Sequence, residues 1–139
     1  MKETIFVDTG FLVAMVNDKD KNHDTAKKIN DQIKNNSSKF TLLYTDYIFD
    51  EFIALLKTRS FPVDLLLKIG DSMLASKILQ RIRVTDNIFE AAWSMLKKYK
   101  DKAWSFTDCT SFVIMNEFQA KRYIGFDDHF SQAGFELWK

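Results

Sequence analysis

The chain of 139 residues is poor in the residues that interrupt regular structure, with one proline and four glycines. An all-β sandwich or barrel needs many turns and therefore many more of both, so helices should dominate. A single cysteine, Cys109, excludes a disulfide framework and any zinc site built from several thiolates. Apolar runs such as Leu65-Leu66-Leu67 and Phe112-Val113-Ile114-Met115 are too short to cross a bilayer. The residues Met1-Lys2-Glu3-Thr4 lead straight into a strand-like run with no apolar signal region, which points to a cytoplasmic protein. Charge of one sign is also missing. Twenty Lys+Arg stand against 19 Asp+Glu, a formal charge of +1, which argues against a strongly basic protein that coats nucleic acid.

What is present is an apolar content of 46%, with 13 phenylalanines, ample for a packed core at this length. The acids are uneven: 14 of the 19 are Asp and five are Glu. Asp prefers caps, turns and tight metal sites to helix interiors, so its excess is worth locating.

No repeat, low-complexity tract or linker divides the sequence, and a single domain over residues 1–139 is expected. Ile5-Phe6-Val7 suits a strand buried on both faces and ends at Asp8. A brief helix over Phe11–Val16 follows. A polar-faced helix from about Lys21 to Asn35 carries the apolar stripe Ala26, Ile29 and Ile33, with Asp20 as its expected N-cap. Phe40–Tyr44 reads as a second strand, and Thr45-Asp46 caps a helix to about Arg59. Pro62 opens the next helix, to Ala75. Ile78–Val84 is a third strand. Thr85 or Asp86 caps a helix that ends in the Lys97–Lys102 charge cluster, and Ser105 opens another to about Ala120. Two short strands, Arg122–Phe126 and Phe135–Trp138, close the chain. Strands alternating with helices predict an α/β fold, a mostly parallel sheet with helices on both faces, where ligands bind at the carboxyl ends of strands.

That rule gives the acids their meaning. Asp8 ends the first strand, and Asp127 with Asp128 follows the fourth. Asp108 lies in the first turn of a largely apolar helix, where an acid wants a reason: either a capping box, whose spacing Ser105-x-x-Asp108 has, or a place in a site. On the helix Ile48–Leu56, Asp50 falls opposite the apolar stripe, whereas Glu51 falls on its margin, either a boundary residue or one aimed into a cleft. Asp8, Glu51, Asp108 and Asp127 all fall at one edge of the predicted sheet. Carboxylates gathered there must protonate, disperse or bind a cation, and an all-oxygen donor set suits Mg²⁺ or Mn²⁺ and metal-assisted phosphodiester hydrolysis.

Taken together, Ile5-Phe6-Val7-Asp8-Thr9-Gly10, Thr45 with Glu51, Ser105-Phe106-Thr107-Asp108 and Gly125-Phe126-Asp127-Asp128-His129-Phe130, with Gly134-Phe135 close behind, resemble the PIN domain over essentially the whole chain. Within that family the likeness is to prokaryotic ribonucleases, many of them toxins of VapBC-type toxin–antitoxin modules. The resemblance implies a PIN-like three-layer α/β/α fold with about five strands and a Mg²⁺- or Mn²⁺-dependent endoribonuclease acting on RNA. It also implies an antitoxin partner and a homodimer. It assigns Asp8, Glu51, Asp108 and Asp127 as the metal-binding and catalytic acids, with Asp128 the alternative to Asp127, and places the hydroxyls of Thr9 and Thr107 beside them. Where many relatives carry Thr two residues before the fourth acid, this chain has Gly125.

Other features have plainer readings. Cys109 reads as a buried core thiol, His23 as a helix-start residue, His129 as loop packing and the tryptophans as core, with base stacking the minority role. The lysine run reads as a solvated helix end. Asp8-Thr9-Gly10 also invites an aspartic protease, but those are all-β; a phosphoaspartate or receiver-like domain would need a second acid directly after Asp8. The remaining rival is a PIN-like module that binds RNA or protein without catalysis.

Overall fold

A computed structural model describes residues 2–138. Five strands form its sheet: β1 (Glu3–Val7), β2 (Phe40–Thr45), β3 (Leu79–Ile82), β4 (Arg122–Ile124) and β5 (Glu136–Leu137). Their order is β3-β2-β1-β4-β5 and every pairing is parallel. The helices are α1 (Thr9–Val16), α2 (His23–Asn35), α3 (Asp46–Thr58), α4 (Val63–Ala75), α5 (Asp86–Lys98), α6 (Phe106–Glu117) and α7 (His129–Gln132). A 3₁₀ turn, Ser37–Lys39, leads into β2.

Helix α1 packs on α2 and α3, and α5 packs on α6. Because parallel crossovers are right-handed, the connections from β1 through β3 carry α1–α4 on one face. The return from β3 to β4 carries α5 and α6 on the other. The expected three layers are therefore present. The sheet is wound outward in both directions from β1, so the crevice between the carboxyl ends of β1 and β4 is the topological switch point.

The apolar run of β1 is fully buried: Ile5, Phe6 and Val7 are all 0% exposed. Phe6 meets Phe130 at 5.8 Å between ring centroids, and Phe130 also packs on Phe112 at 5.0 Å and Tyr123 at 4.9 Å. This aromatic knot fixes α7, and with it the loop before α7, against β1, β4 and α6. The scarcity of glycine shows at helix ends. Gln119, after α6, has φ 58°, and Ala120 N–H donates to the Met115 carbonyl at 2.8 Å, so a glutamine holds a left-handed position usually given to glycine.

The last three strands are shorter than the expected Ile78–Val84, Arg122–Phe126 and Phe135–Trp138, and α1 starts at Thr9 and not Phe11. Two further local expectations differ from the structure. Helix α2 begins at His23 with Asn22 before it, because the Asp20 carboxylate is engaged elsewhere: one oxygen accepts from Asn22 N–H at 2.8 Å and the other from Arg59 at 3.2 Å. Of the tryptophans, Trp104 and Trp138 are buried, but Trp93 is half exposed and flanks Phe106 beside Phe89. No helix among the described residues is long and apolar enough to cross a membrane.

Candidate active site

Four elements deliver the four acids to the switch point. Asp8 follows β1 and precedes α1; its backbone N–H donates to the Ile124 carbonyl at 2.9 Å, which extends the β1–β4 ladder past the strand end. Its φ and ψ of −87° and 158° are those of an N-cap, yet its side chain makes no cap to α1. Asp8 as a whole residue is 7% exposed. Burial pushes its pKa from 3.8 to about 7; the Thr9 backbone N–H opposes the rise, and the charges of Asp108, Glu51 and Asp127 add to it in that order. Three carboxylates from three other elements thus act on this one group.

Asp108 is fixed by the capping box expected from sequence. Ser105 N–H donates to its carboxylate at 3.0 Å, and its own N–H donates to Ser105 Oγ at 3.0 Å. The same Oδ2 lies 2.8 Å from His129 Nδ1. Capping and site membership are therefore combined in one residue. Glu51 sits one turn into α3, whose start is set by Thr45 accepting from Ile48 N–H at 3.0 Å. It shares a concavity with Asp46, Tyr47, Thr107 and the exposed Asp50.

Asp127 Oδ1 accepts from His129 N–H at 2.7 Å and lies 3.3 Å from His129 Nδ1. Asp128 is the residue before α7, makes no side-chain cap, and is not among the charges that raise Asp8. Of the two neighbours, the Asp127 charge is the one felt at Asp8, and both line the concavity beside His129. His129 is the residue whose role sequence reasoning understated, since its ring bridges Asp108 and Asp127. Burial disfavours its cation, but the Asp108 hydrogen bond and the charges of Asp108, Asp127 and Asp128 outweigh that and raise its pKa. The available signal was its position two residues after Asp127, the spacing of a local turn.

Thr9 Oγ1 is buried with no hydrogen-bond partner. A buried hydroxyl normally finds one, so an unpaired one beside Asp8 is the kind of donor a hydrated cation site leaves open. Gly125 has a steric reason. A Cβ there would stand 3.0 Å from Asp8 Cβ and 3.4 Å from its Oδ2. Cys109 is buried, and burial pushes its thiol up to about 11, so it is core.

An all-oxygen donor set, a neutralisable buried acid and an orphan hydroxyl fit Mg²⁺ or Mn²⁺, which keep several waters. The carboxylates are not drawn into one tight shell. Among the described residues the only triplet with donor atoms all within 4.8 Å is Asp127, Asp128 and His129.

Away from the acids, α1, α2 and α4 border a groove of about 520 Å³ lined by Phe11, Leu12, Met15, Leu65, Ile69 and Met73.

A parallel α/β sheet whose switch point gathers four carboxylates defines a protein with a prospective divalent-cation site at the strand ends. Residues 5–136 match the PIN domain, and the chain belongs to that family. It is 31% identical over 132 residues to the 23S rRNA-specific endonuclease VapC20 of Mycobacterium tuberculosis, across 94% of this chain and 95% of that protein. The VapC ribonuclease of Archaeoglobus fulgidus is 32% identical over 101 residues, 70% of this chain and 62% of that protein. The crystal structure of M. tuberculosis VapC20, described as a sarcin-ricin loop cleaving toxin, aligns with a TM-score of 0.85 at 29% identity. That alignment covers 97% of this chain and 98% of the other. Rickettsia felis VapBC2, solved with a promoter DNA fragment, aligns at TM-score 0.69 and 12% identity, covering 98% of this chain and 97% of the other, and shares the fold.

Proposed function

We propose that the protein is a Mg²⁺- or Mn²⁺-dependent endoribonuclease that hydrolyses RNA phosphodiester bonds and serves as the toxin of a toxin–antitoxin module. The observation that carries this reading is Asp8, buried at the switch point with Asp108, Glu51 and Asp127 all acting on its carboxyl group. Kinship with proteins named as VapC ribonucleases supports the choice of RNA. Asp8, Glu51, Asp108 and Asp127 would hold the cation directly or through water.

When bound, the cation would lower the pKa of an attacking water and offset charge developing on the scissile phosphate. The chain's own contribution is orientation. The β1–β4 ladder and burial fix Asp8, the capping box fixes Asp108, and His129 ties Asp108 to Asp127. The unpaired Thr9 hydroxyl offers one further donor to ordered water. The apolar groove beside α4, lined in part by the half-exposed Leu65, together with the half-exposed Leu67 and Leu74 elsewhere on that helix, supports a protein partner such as an antitoxin. A homodimer in the cytoplasm completes the proposal.

The test is cleavage of single-stranded RNA, ribosomal RNA fragments included, by pure protein with Mn²⁺ and with EDTA, alongside Asp8→Asn and Asp108→Asn. Cleavage by the wild type with Mn²⁺ alone, lost in both variants, is expected. Equal activity in all three would refute the assignment, and no cleavage with no metal-dependent rise in melting temperature would leave a non-catalytic binding module.

A further inference from the structure

Two concavities flank the four acids, and their charges differ. The one on the Glu51 side is lined by Asp46, Tyr47, Asp50, Glu51 and Thr107, and holds no cationic side chain. The one on the Asp127 side is lined by three acids, Asp20, Asp127 and Asp128, with His129 and Phe126 beside them, but unlike the first it also holds two cations, Lys21 and Arg59. Arg59 is held in place. It ends α3, the helix that carries Glu51, and its guanidinium donates to Asp20 Oδ2 at 3.2 Å while its side chain remains 47% exposed. A guanidinium has five donors, so one bond to Asp20 leaves a fork available for a phosphate. Lys21 is exposed on a segment ordered by the Asp20 turn, in which Asn22 N–H donates to Asp20 Oδ1 at 2.8 Å and His23 N–H to the Asp20 carbonyl at 3.0 Å.

With a net charge of +1 the protein has no global field to draw a polyanion toward an acidic crevice, so phosphate binding must come from local cations. We propose that Arg59, clamped by Asp20, and Lys21 seat a phosphate adjacent to the scissile one, so that the RNA strand leaves the acid cluster on the Asp127 side and not the Glu51 side. The half-exposed Phe126 ring in the same concavity is placed to meet a base of that nucleotide. The proposal rests on the ribonuclease reading for its substrate, but binding tests it without cleavage. Arg59 and Lys21 are positioning residues.

The experiment titrates a fluorescent single-stranded RNA 12-mer in Ca²⁺, by anisotropy over a range of salt, with wild type, Lys21→Gln, Arg59→Gln and the double variant. The pair Lys97→Gln, Lys100→Gln, whose residues line neither concavity, is the control. Removing one cation that neutralises a phosphate lowers the slope of log K against log salt by about 0.7, so the double variant should lose about 1.4 and bind about 10-fold or more weakly at low salt. Arg59→Lys should keep the slope. Lys21→Gln alters only an exposed side chain, so its effect stands even if Arg59→Gln lowers the melting temperature. An unchanged slope in the double variant, or an equal loss in the Lys97, Lys100 control, overturns the proposal. Where the wild type cleaves, KM should rise about 10-fold in the double variant with kcat within about 3-fold. RNA binding of the expected slope with no cleavage under Mn²⁺ would refute the ribonuclease reading while upholding the phosphate seat.

Discussion

Replacing Asp8 by Asn removes the carboxylate that the fold most resists ionising, and the consequence should be a pH-dependent gain in stability. The folded-state pKa is raised from 3.8 to about 7, chiefly by burial. Below pH 3.8 both folded and unfolded states hold the proton and Asp8 contributes no pH dependence. Between pH 3.8 and 7 the unfolded chain releases it while the folded chain keeps it, so folding stability falls as pH rises, by about 1.4 kcal/mol per unit. Across the full window the loss has a ceiling of about 4 kcal/mol, and relaxation of the crevice and entry of water leave about 2–4 kcal/mol. For a domain of this size each kcal/mol moves the melting temperature by about 3 °C. The difference in melting temperature between Asp8→Asn and wild type, measured in EDTA, should therefore widen by about 6–12 °C from pH 4 to pH 8. Any constant effect of the amide cancels in that difference. A gap that stays flat over the range, or narrows as pH rises, would refute the burial and charge crowding assigned to Asp8.

Three further substitutions probe what holds the site in place. Phe130→Ala empties the fully buried ring that joins α7 to Phe6, Phe112 and Tyr123, and should cost about 3–5 kcal/mol by denaturant unfolding; a cost under about 1 kcal/mol would show the knot to be dispensable. Gly125→Ala brings a Cβ to 3.0 Å from Asp8 Cβ; a loss of about 1–3 kcal/mol is expected, together with weaker Mn²⁺ binding by calorimetry, whereas unchanged metal affinity would show that Asp8 yields freely. Gln119→Gly relieves the left-handed residue after α6 and should stabilise by about 1 kcal/mol in thermal unfolding, with a neutral or negative effect contradicting the strain assigned there.

Much of the layout is legible in the sequence because it rests on local signals. The run Ile5-Phe6-Val7 is apolar on both faces and stops at an acid, which marks a buried strand and a strand-end carboxylate together. Ser105-x-x-Asp108 declares both a helix start and the position of an acid. What depends on distant partners is hidden. Asp20 looks like a cap until Arg59, 39 residues further on, is seen to claim its carboxylate. Helix α7 is four residues long and carries no period, and the bridging of Asp108 and Asp127 by His129 follows from α6 and α7 meeting, a contact 21 residues apart. Trp93 shows the limit of composition: a large ring is usually covered, and this one stays half exposed against Phe106.

If carboxylates from β1, α3, α6 and the loop before α7 form one divalent-cation site, each should be felt in the metal affinity. Calorimetric titration of Mn²⁺ into wild type, Asp8→Asn, Glu51→Gln, Asp108→Asn, Asp127→Asn and Asp128→Asn measures this. The first four substitutions should each weaken binding about 10-fold or more, with Asp128→Asn close to wild type. Binding that survives Asp8→Asn and Asp108→Asn but is lost in both Asp127→Asn and Asp128→Asn would contradict the four-acid site, placing the ion instead on the Asp127, Asp128 and His129 triplet.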